Sequence, residues 1–182
     1  MLARLNIPFS VCPPELDESA LPGETPLALA RRLALQKARA IARQEPDAVV
    51  IGADQVLDFN GIALGKPGNA DNARRQLIML SGQTVTFQSA IALVTPRATR
   101  IRVSPSRATF RRLSDAQIEQ YLQIDQPFDT AGSAKAESLG ISLLESLQSD
   151  DPTAIIGLPL IELTRLLSLA GIDPLTPNRN AN

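Results

Sequence analysis

Asp54 and Gln55 place a carboxylate and an amide directly after an apolar run, residues 49–53. A turn at residues 60–61 follows, and Lys66 comes next in a Gly-Lys-Pro loop. A buried strand has no structural need for a carboxylate at its end. A carboxylate can, however, orient or deprotonate water, and a lysine can bind phosphate oxygens as a compact positive charge. This spacing indicates a site at the end of a strand, where α/β sheets commonly bind ligands.

The composition limits the chemistry that such a site can perform. The chain contains no histidine, which excludes a Ser-His-Asp triad, an imidazole base and a histidine metal site. The sequence has no P-loop, dinucleotide fingerprint or nucleophile elbow. Lysine is scarce beside arginine, and its positions are Lys37, Lys66 and Lys135. Acid–base work therefore falls to carboxylates, lysines or a metal-bound water, which favours phosphate-ester chemistry.

Further charged residues could join Asp54. Glu18 lies with Asp17 in an acidic, Pro-containing loop, and Glu137 lies in a small-residue loop near Lys135. Carboxylates that lie close together can share a divalent cation of the Mg²⁺ type. Each of these residues also has an ordinary interpretation as a capping or solvated side chain. Taken one at a time, they do not decide between a site and a solvated surface.

Lys37 is ambiguous in a similar way. Thr25 as a cap and Pro26 at the first helical position predict a helix to about Gln44. Lys37 lies on the apolar stripe of this helix, four residues after Leu33. Its ammonium group either reaches solvent past a buried stem or points into a cleft, and the sequence leaves both alternatives open.

Length and composition are typical of one domain, expected at residues 1–172 with a flexible tail at 173–182. The 182-residue chain carries a net charge of −1 and only 3% aromatic residues, so we expect no binding to nucleic acids. Cys12 alone cannot form an internal disulfide. No signal peptide or membrane-spanning run is visible, so we expect a cytoplasmic protein without membrane contact.

Hydrophobic periodicity and turn signals predict alternating helices and strands. The predicted helices are at 26–44, 69–82, 114–124 and 160–170. The predicted strands are at 9–12, 48–57, 84–94, 99–113, 141–147 and 153–159, and 84–113 is expected to form an antiparallel ribbon. The expected fold class is α/β, with a mixed twisted sheet, flanking helices and two lobes around a cleft.

Several motifs, taken in order, resemble the Maf family of nucleoside triphosphate pyrophosphatases. They cover nearly the whole chain up to Ala170, and the most specific are IGADQ, GKP, AGSAK and IGLPL. The resemblance implies the α/β fold shared with the ITP pyrophosphatases, an active site in a cleft and a homodimer. It also implies hydrolysis of the α–β bond of a nucleoside triphosphate, with a divalent cation, Mg²⁺ or Mn²⁺, as cofactor.

The same resemblance implies roles by position. Asp54 matches the catalytic carboxylate, and Glu18 matches an acidic residue that binds the metal ion together with Asp54. The implied substrate-binding residues are Gln55, Glu137, Lys37, Lys66 and Lys135. Lys37 and Lys66 match lysines that face the triphosphate and would stabilise its developing charge.

Gln55 and Glu137 match positions tied to the choice of base, and they resemble the branch of the family that hydrolyses 7-methyl-GTP. 7-Methylguanine carries a positive charge and offers amine hydrogens, and both features suit a carboxylate such as Glu137. The alternative substrates are dTTP and UTP. The alternative from another functional class is a catalytically weakened, nucleotide-binding paralogue.

The likeness departs from the family pattern at its start. Family members begin with a strand and a Ser-x-Ser-Pro-x-Arg loop, whereas Met1 here already falls in the helix that follows. We expect this difference to reflect either a misplaced start or a shortened, weakened paralogue. Smaller differences are at residues 88–90, where Tyr-Thr-Gly is common, and at 148–149, where a glycine is usual.

Overall fold

The computed structural model describes residues 1–176. The α-helices in this part of the chain are α1 (Pro26–Ala42), α2 (Ala70–Leu80), α3 (Asp115–Asp125) and α4 (Leu160–Ser168). The strands are β1 (Val50–Phe59), β2 (Ile62–Leu64), β3 (Thr84–Val94), β4 (Thr99–Phe110) and β5 (Leu144–Ser149). Short 3-10 turns lie at Leu2–Leu5, Ala131–Ser133, Leu139–Leu143 and Ala154–Ile156.

The strands form one sheet in the order β2-β1-β3-β4-β5, and each described pairing is antiparallel. The α/β class is confirmed, as is the ribbon at 84–113, which forms β3 and β4. The parallel pairs of a mixed sheet are not found among residues 1–176. Tight turns join β1 to β2 and β3 to β4, and such turns can join only antiparallel neighbours. The pairs β1–β3 and β4–β5 are joined by longer connections and are antiparallel as well.

The two faces of β1 are covered by different helices, because side chains alternate along a strand. Val50 and Val56 pack on one face in a core formed with α1. On the opposite face, Ile51 and Ala53 pack against α4, and Leu57 joins a larger core that contains α2 and α3. Between these packing regions the strand carries its polar pair, so the fold leaves room there for a cleft.

Helix α1 approaches β1 closely because both surfaces are small. Ala30, Ala34 and Ala38 are spaced four apart and are fully buried. A Cβ atom on Gly52 would lie 2.2 Å from the carbonyl oxygen of Ala34 and 2.6 Å from the nitrogen of Ala38. The glycine of the IGADQ motif is therefore required for this contact, which also brings Lys37 close to β1.

The predicted helix starts at α1 and α3 are confirmed. Thr25 Oγ1 accepts a hydrogen bond from the Ala28 nitrogen, and Pro26 is the first helical residue. At α3, Ser114 and Gln117 form the expected capping box, in which each side chain binds the other residue's backbone nitrogen. Local side-chain chemistry thus fixes where these two helices begin.

Two expected strands are absent from the described residues. Residues 153–159 contain the 3-10 turn Ala154–Ile156 instead, because the side chains of Asp151 and Thr153 bind the backbone around it. Residues 9–12 pair with no strand, and Phe9 lies half exposed beside a fully solvated Val11. Apolar runs predict strands only where a partner strand is available, and neither segment has one.

Strand β1 runs to Phe59, two residues beyond the expected end, and Asp54 lies in the middle of the strand rather than at its end as expected. Asn60 and Gly61 have φ angles of 54° and 83°, which close a tight hairpin between β1 and β2. Gly61 also donates its backbone N–H to Asp58 Oδ1 at 2.8 Å. The Asp54 carboxylate therefore reaches the cleft from within a paired strand.

The expected tail falls mainly on residues 177–182, which lie outside the described residues. Before them, the Asp173 carboxylate accepts a hydrogen bond from the Leu175 nitrogen in a turn. Across residues 1–176, no helix combines the length and the apolar character needed to cross a membrane. The single domain at 1–172 stays a prediction.

Candidate active site

A cleft of about 450 Å³ lies beside the middle of β1, and its volume suits a small-molecule ligand. Its walls come from the acidic loop, α1, β1, β2, the loop after β2, the loop after α3 and the turn before α4. Of the predicted site residues, those that line it are Glu18, Asp54, Gln55, Lys66 and Glu137. Residues far apart in the sequence thus converge on one cavity.

Lys37 joins two of these residues. Its Nζ atom lies 2.6 Å from Asp54 Oδ1 and 2.6 Å from Glu18 Oε1. The Lys37 side chain is 22% exposed and that of Asp54 is 10% exposed. The ammonium therefore points toward the cleft residues rather than into bulk solvent, which decides between the two alternatives that the sequence leaves open.

The shifted pKa values of this cluster follow from burial and pairing. Burial raises the pKa of the Asp54 carboxyl, and the Lys37 ammonium offsets this only in part. Burial lowers the pKa of Lys37, but its hydrogen bonds to Asp54 and Glu18 outweigh burial, and the pKa is raised overall. The hydrogen bond from Lys37 lowers the pKa of Glu18. Two carboxylates thus share one ammonium, and the charged cluster has one negative charge in excess.

An arginine clamp holds the acidic loop in place. Arg32 Nε and Nη2 each lie 2.7 Å from one carboxylate oxygen of Glu24, and Nη2 also donates to the Ser19 carbonyl at 2.8 Å. This two-pronged pairing lowers the pKa of Glu24 to about 2. Because Ser19 directly follows Glu18, the clamp positions Glu18 over helix α1. Asp17 is exposed and accepts a hydrogen bond from the Ser19 nitrogen, as a solvated side chain can.

The Lys66 loop is positioned from helix α2. Gln76 Nε2 donates to the Gly65 carbonyl at 3.0 Å, and Gln76 Oε1 accepts from Ser133 Oγ at 2.6 Å. One glutamine therefore joins the GKP loop to the AGSAK loop. Lys66 itself is exposed and forms no ion pair with another residue in 1–176, so its ammonium is free to meet an anion.

Gln55 is held by its amide nitrogen. Its Nε2 atom donates to Ser89 Oγ at 2.8 Å, to the Ala154 carbonyl at 2.9 Å and to the Ile155 carbonyl at 3.1 Å. Ser89 Oγ in turn donates to the Ala154 carbonyl at 2.7 Å. This network joins β1, β3 and the turn before α4, and it fixes one wall of the cleft.

Glu137 and Lys135 occupy different positions in the small-residue loop. Glu137 is exposed and lines the cleft. Lys135 is outside the cleft lining, and its Nζ atom lies 3.2 Å from Asp129 Oδ1. The loop is attached to the end of α3, because the Asp125 carboxylate accepts a hydrogen bond from Ser138 Oγ at 2.7 Å. Lys135 is therefore engaged by Asp129 outside the cleft lining, whereas Glu137 faces the cleft.

Glu18 and Asp54 are the carboxylates that could bind a divalent cation here. Glu18 and Asp54 already converge on one positive charge, the Lys37 ammonium. Within residues 1–176, no group of three or more acidic, cysteine or histidine residues could hold a metal ion alone. Mg²⁺ commonly binds through one or two carboxylates and completes its shell with water and substrate phosphates. The donor set therefore fits a cation that arrives with a phosphate ligand.

The sequence did not identify Ser89, Asp129 or Asp151 as contributors. Ser89 lies opposite Gln55 in the pairing of β1 with β3. The sequence predicts both strands but not the register that brings these two residues together. Asp129 lines the cleft from the loop that follows α3, and no motif or spacing pointed to it. Asp151 is fully buried and shapes the turn that binds Gln55.

Fold and site together define an α/β protein whose cleft carries an acid–lysine cluster. A protein-family model with the description "Maf-like protein" matches residues 1–170. The chain belongs to this family, as its motifs indicated.

Curated relatives are similar over nearly the whole chain. The 7-methyl-GTP pyrophosphatase of Polaromonas sp. (strain JS666) is 54% identical over 174 residues, covering 94% of this chain and 80% of that protein. The 7-methyl-GTP pyrophosphatase of Bordetella pertussis is 52% identical over 176 residues, covering 97% and 88%. That of Nitrosospira multiformis is 53% identical over 175 residues, covering 95% and 88%.

Proposed function

We propose that this protein is a nucleoside triphosphate pyrophosphatase that hydrolyses 7-methyl-GTP to the monophosphate and pyrophosphate. The observation that carries the proposal is the Glu18–Lys37–Asp54 cluster in a chain of the Maf-like family. Its two carboxylates line one cleft with Lys66, which forms no ion pair within residues 1–176. The names of relatives at 52–54% identity support 7-methyl-GTP as the substrate.

Asp54 is the residue that activates water in this proposal. The oxygen of water attacks the α-phosphorus, the bond from this phosphorus to the α–β bridging oxygen breaks, and pyrophosphate leaves. Asp54 Oδ1 is bonded to Lys37, whereas its Oδ2 accepts no hydrogen bond from residues 1–176 and can take the proton. Burial makes this carboxyl a better proton acceptor than an exposed aspartate, because it raises the pKa.

Positive charge from the protein stabilises the phosphates. Lys66 is exposed on the cleft wall, where it can pair with oxygens of the leaving pyrophosphate. Lys37 holds Asp54 in place and lies close enough to offset charge at the reacting phosphate. Glu18 and Asp54 would hold a divalent cation, which when bound neutralises phosphate charge.

The base is read by Gln55 and Glu137, which line the same cleft as the charged cluster. The carboxylate of Glu137 favours the cationic 7-methylguanine ring over a neutral base, and it can accept amine hydrogens from that ring. Lys135 lies farther away, and direct substrate contact would require it to leave Asp129. We therefore expect Glu137 to control base preference more strongly than Lys135.

The direct test is pyrophosphate release from 7-methyl-GTP, GTP, dTTP and UTP, measured with Mg²⁺ or Mn²⁺ and again after chelation. We expect kcat/KM to be highest for 7-methyl-GTP and activity to vanish without a cation. A Glu137→Gln variant keeps the shape of the side chain but loses its charge. It should reduce the preference for 7-methyl-GTP over GTP about tenfold.

Other outcomes would redirect the proposal. Preference for dTTP or UTP would keep the reaction but change the substrate. Binding of nucleotide, seen as a thermal shift without turnover, would favour a non-catalytic nucleotide-binding protein. The homodimer implied by the family resemblance stays a prediction that light scattering can measure.

A further inference from the structure

The amide of Gln55 can be oriented in only one way. Two of its three partners are the backbone carbonyls of Ala154 and Ile155, at 2.9 Å and 3.1 Å, and carbonyl oxygens can only accept hydrogen bonds. Nε2 must therefore face the turn before α4, because the flipped amide would place Oε1 against two other acceptors. The oxygen is left on the opposite side of the amide.

The oxygen of Gln55 is accordingly available to a ligand. Gln55 lines the cleft, and Oε1 accepts no hydrogen bond from residues 1–176. No buried side-chain nitrogen or oxygen in the described part of the chain lacks a partner, so this free oxygen retains access to the cavity. The cleft therefore presents an acceptor at this point.

Ser89 is the side chain that stabilises this orientation. Ser89 is fully buried. Its Oγ accepts a hydrogen bond from Gln55 Nε2 at 2.8 Å and donates one to the Ala154 carbonyl at 2.7 Å. The hydroxyl therefore binds both the amide and the carbonyl that holds it. It touches no part of the cleft, since Ser89 is not among the lining residues.

We propose that Ser89 is a positioning residue for base recognition, because it fixes Gln55 so that the cleft presents only an oxygen to the base. This inference rests on the proposed function. An acceptor at this point selects bases that carry an N–H on their Watson–Crick edge, as guanine and 7-methylguanine do at N1. It disfavours a base such as adenine, whose N1 is itself an acceptor.

Ser89→Ala is the first variant. Loss of the hydroxyl removes one acceptor of Gln55 Nε2 and the donor that anchors the Ala154 carbonyl, so the amide is held less firmly. KM for 7-methyl-GTP should then rise about tenfold while kcat changes less than twofold. Ser89→Thr retains the hydroxyl and should restore KM to within about threefold of the wild type.

Ser106→Ala is the matched control. Ser106 is also fully buried, its Oγ bonds to Ser149 Oγ at 3.1 Å, and it does not line the cleft. The substitution should lower the melting temperature as Ser89→Ala does, without changing KM. A loss of stability alone therefore cannot imitate the expected result.

A double-mutant cycle tests whether Ser89 acts through Gln55. In a Gln55→Ala background, Ser89→Ala should leave KM within twofold, because the group that it positions is gone. Independent, multiplying effects of the two substitutions would overturn the inference, as would an unchanged KM in Ser89→Ala. If the wild type hydrolyses no nucleotide, the proposed function is wrong, and so is this inference, which rests on it. An active wild type with an unaltered Ser89→Ala variant overturns only the inference.

Discussion

Asp54 and Asp151 are both withdrawn from water, but their surroundings differ. Asp151 is 1% exposed, and its two oxygens accept hydrogen bonds from the Thr153 nitrogen and hydroxyl and from the Ile161 and Glu162 nitrogens. Asp54 accepts from Lys37 alone among residues 1–176. One carboxylate has donors for both of its oxygens, whereas the other keeps an oxygen free.

This difference is the one expected between a structural carboxylate and the proposed catalytic one. Pro159 precedes α4 and has no capping side chain, so Asp151 supplies acceptors for the first backbone N–H groups of that helix. Asp54 has one donor, Lys37, within residues 1–176, and this bond does not offset burial, so the pKa of Asp54 is raised. Burial alone therefore does not mark a functional acid, and the number of donors around it is the better guide.

The strongest test of the comparison is Asp54→Asn. The variant keeps the size of the side chain but cannot take a proton from water, so kcat should fall about 1,000-fold. The free energy of unfolding should change by less than about 1 kcal/mol, because Lys37 keeps its bond to Glu18 and no buried charge is left unpaired. Pyrophosphate release and urea unfolding measure the two quantities. A large loss of stability with normal turnover would assign Asp54 to the fold.

Asp151→Asn should give the reverse pattern. An amide can accept at only one of the two positions, so its N–H₂ group would face backbone donors, and unfolding should become easier by about 3 kcal/mol. Turnover per folded molecule should keep more than about a tenth of the wild-type value. Urea unfolding midpoints and kcat at a temperature where the variant is folded provide the measurement. A stable but inactive variant would show that Asp151 takes part in the chemistry.

The distance between Lys37 and Asp54 gives a third test, because Gly52 sets how closely α1 approaches β1. A methyl group in Gly52→Ala would overlap the Ala34 carbonyl, so we expect a loss of about 2 to 3 kcal/mol in stability. The helix must shift outward, which should also lower kcat about tenfold. Gly65→Ala is the control for stability, since nothing lies within 4 Å of a Cβ there. Equal unfolding midpoints for the two variants would contradict the packing argument.

Local signals in the sequence predicted the helix starts well. Thr25, Pro26 and the Ser114–Gln117 pair bind backbone within a few residues, so their effect does not depend on the rest of the fold. The antiparallel ribbon of β3 and β4 was predictable for the same reason, since a short turn joins its strands. The family motifs then identified the cleft residues Asp54 and Gln55 before their surroundings were known.

Features that depend on distant residues could not be predicted. The apolar segment 153–159 is typical of a strand, but Asp151 and Ser89 hold its backbone in a turn. The direction of the Lys37 ammonium depends on Asp54 and Glu18, which come from a strand and a loop elsewhere in the chain. Such contacts follow from the register of the sheet and from loop placement, and a single sequence determines neither by local rules.

Glu24 extends the comparison to a third carboxylate, whose pKa shifts in the direction opposite to that of Asp54. The hydrogen bonds from Arg32 lower the pKa of Glu24 from its ordinary 4.5 to about 2. The unfolded chain thus binds a proton at this site at a higher pH than the folded chain does. The stability contributed by the pair is fully present above pH 4.5 and is lost as the pH falls toward 2.

Glu24→Gln removes this contribution at every pH. We expect its effect on the free energy of unfolding to be smaller than those of the variants above and to depend on pH. The gap in unfolding free energy between wild type and variant should be widest near neutral pH and should narrow on acidification, and added salt should reduce it. Urea unfolding at a series of pH values measures the gap, and groups common to both proteins cancel. Glu45→Gln, at an exposed position without an ion pair among residues 1–176, is the control for loss of charge. A gap that stays constant with pH would contradict this prediction. It would mean that the negative charge of Glu24 adds nothing to its pairing with Arg32, and that shape and neutral hydrogen bonds hold the acidic loop.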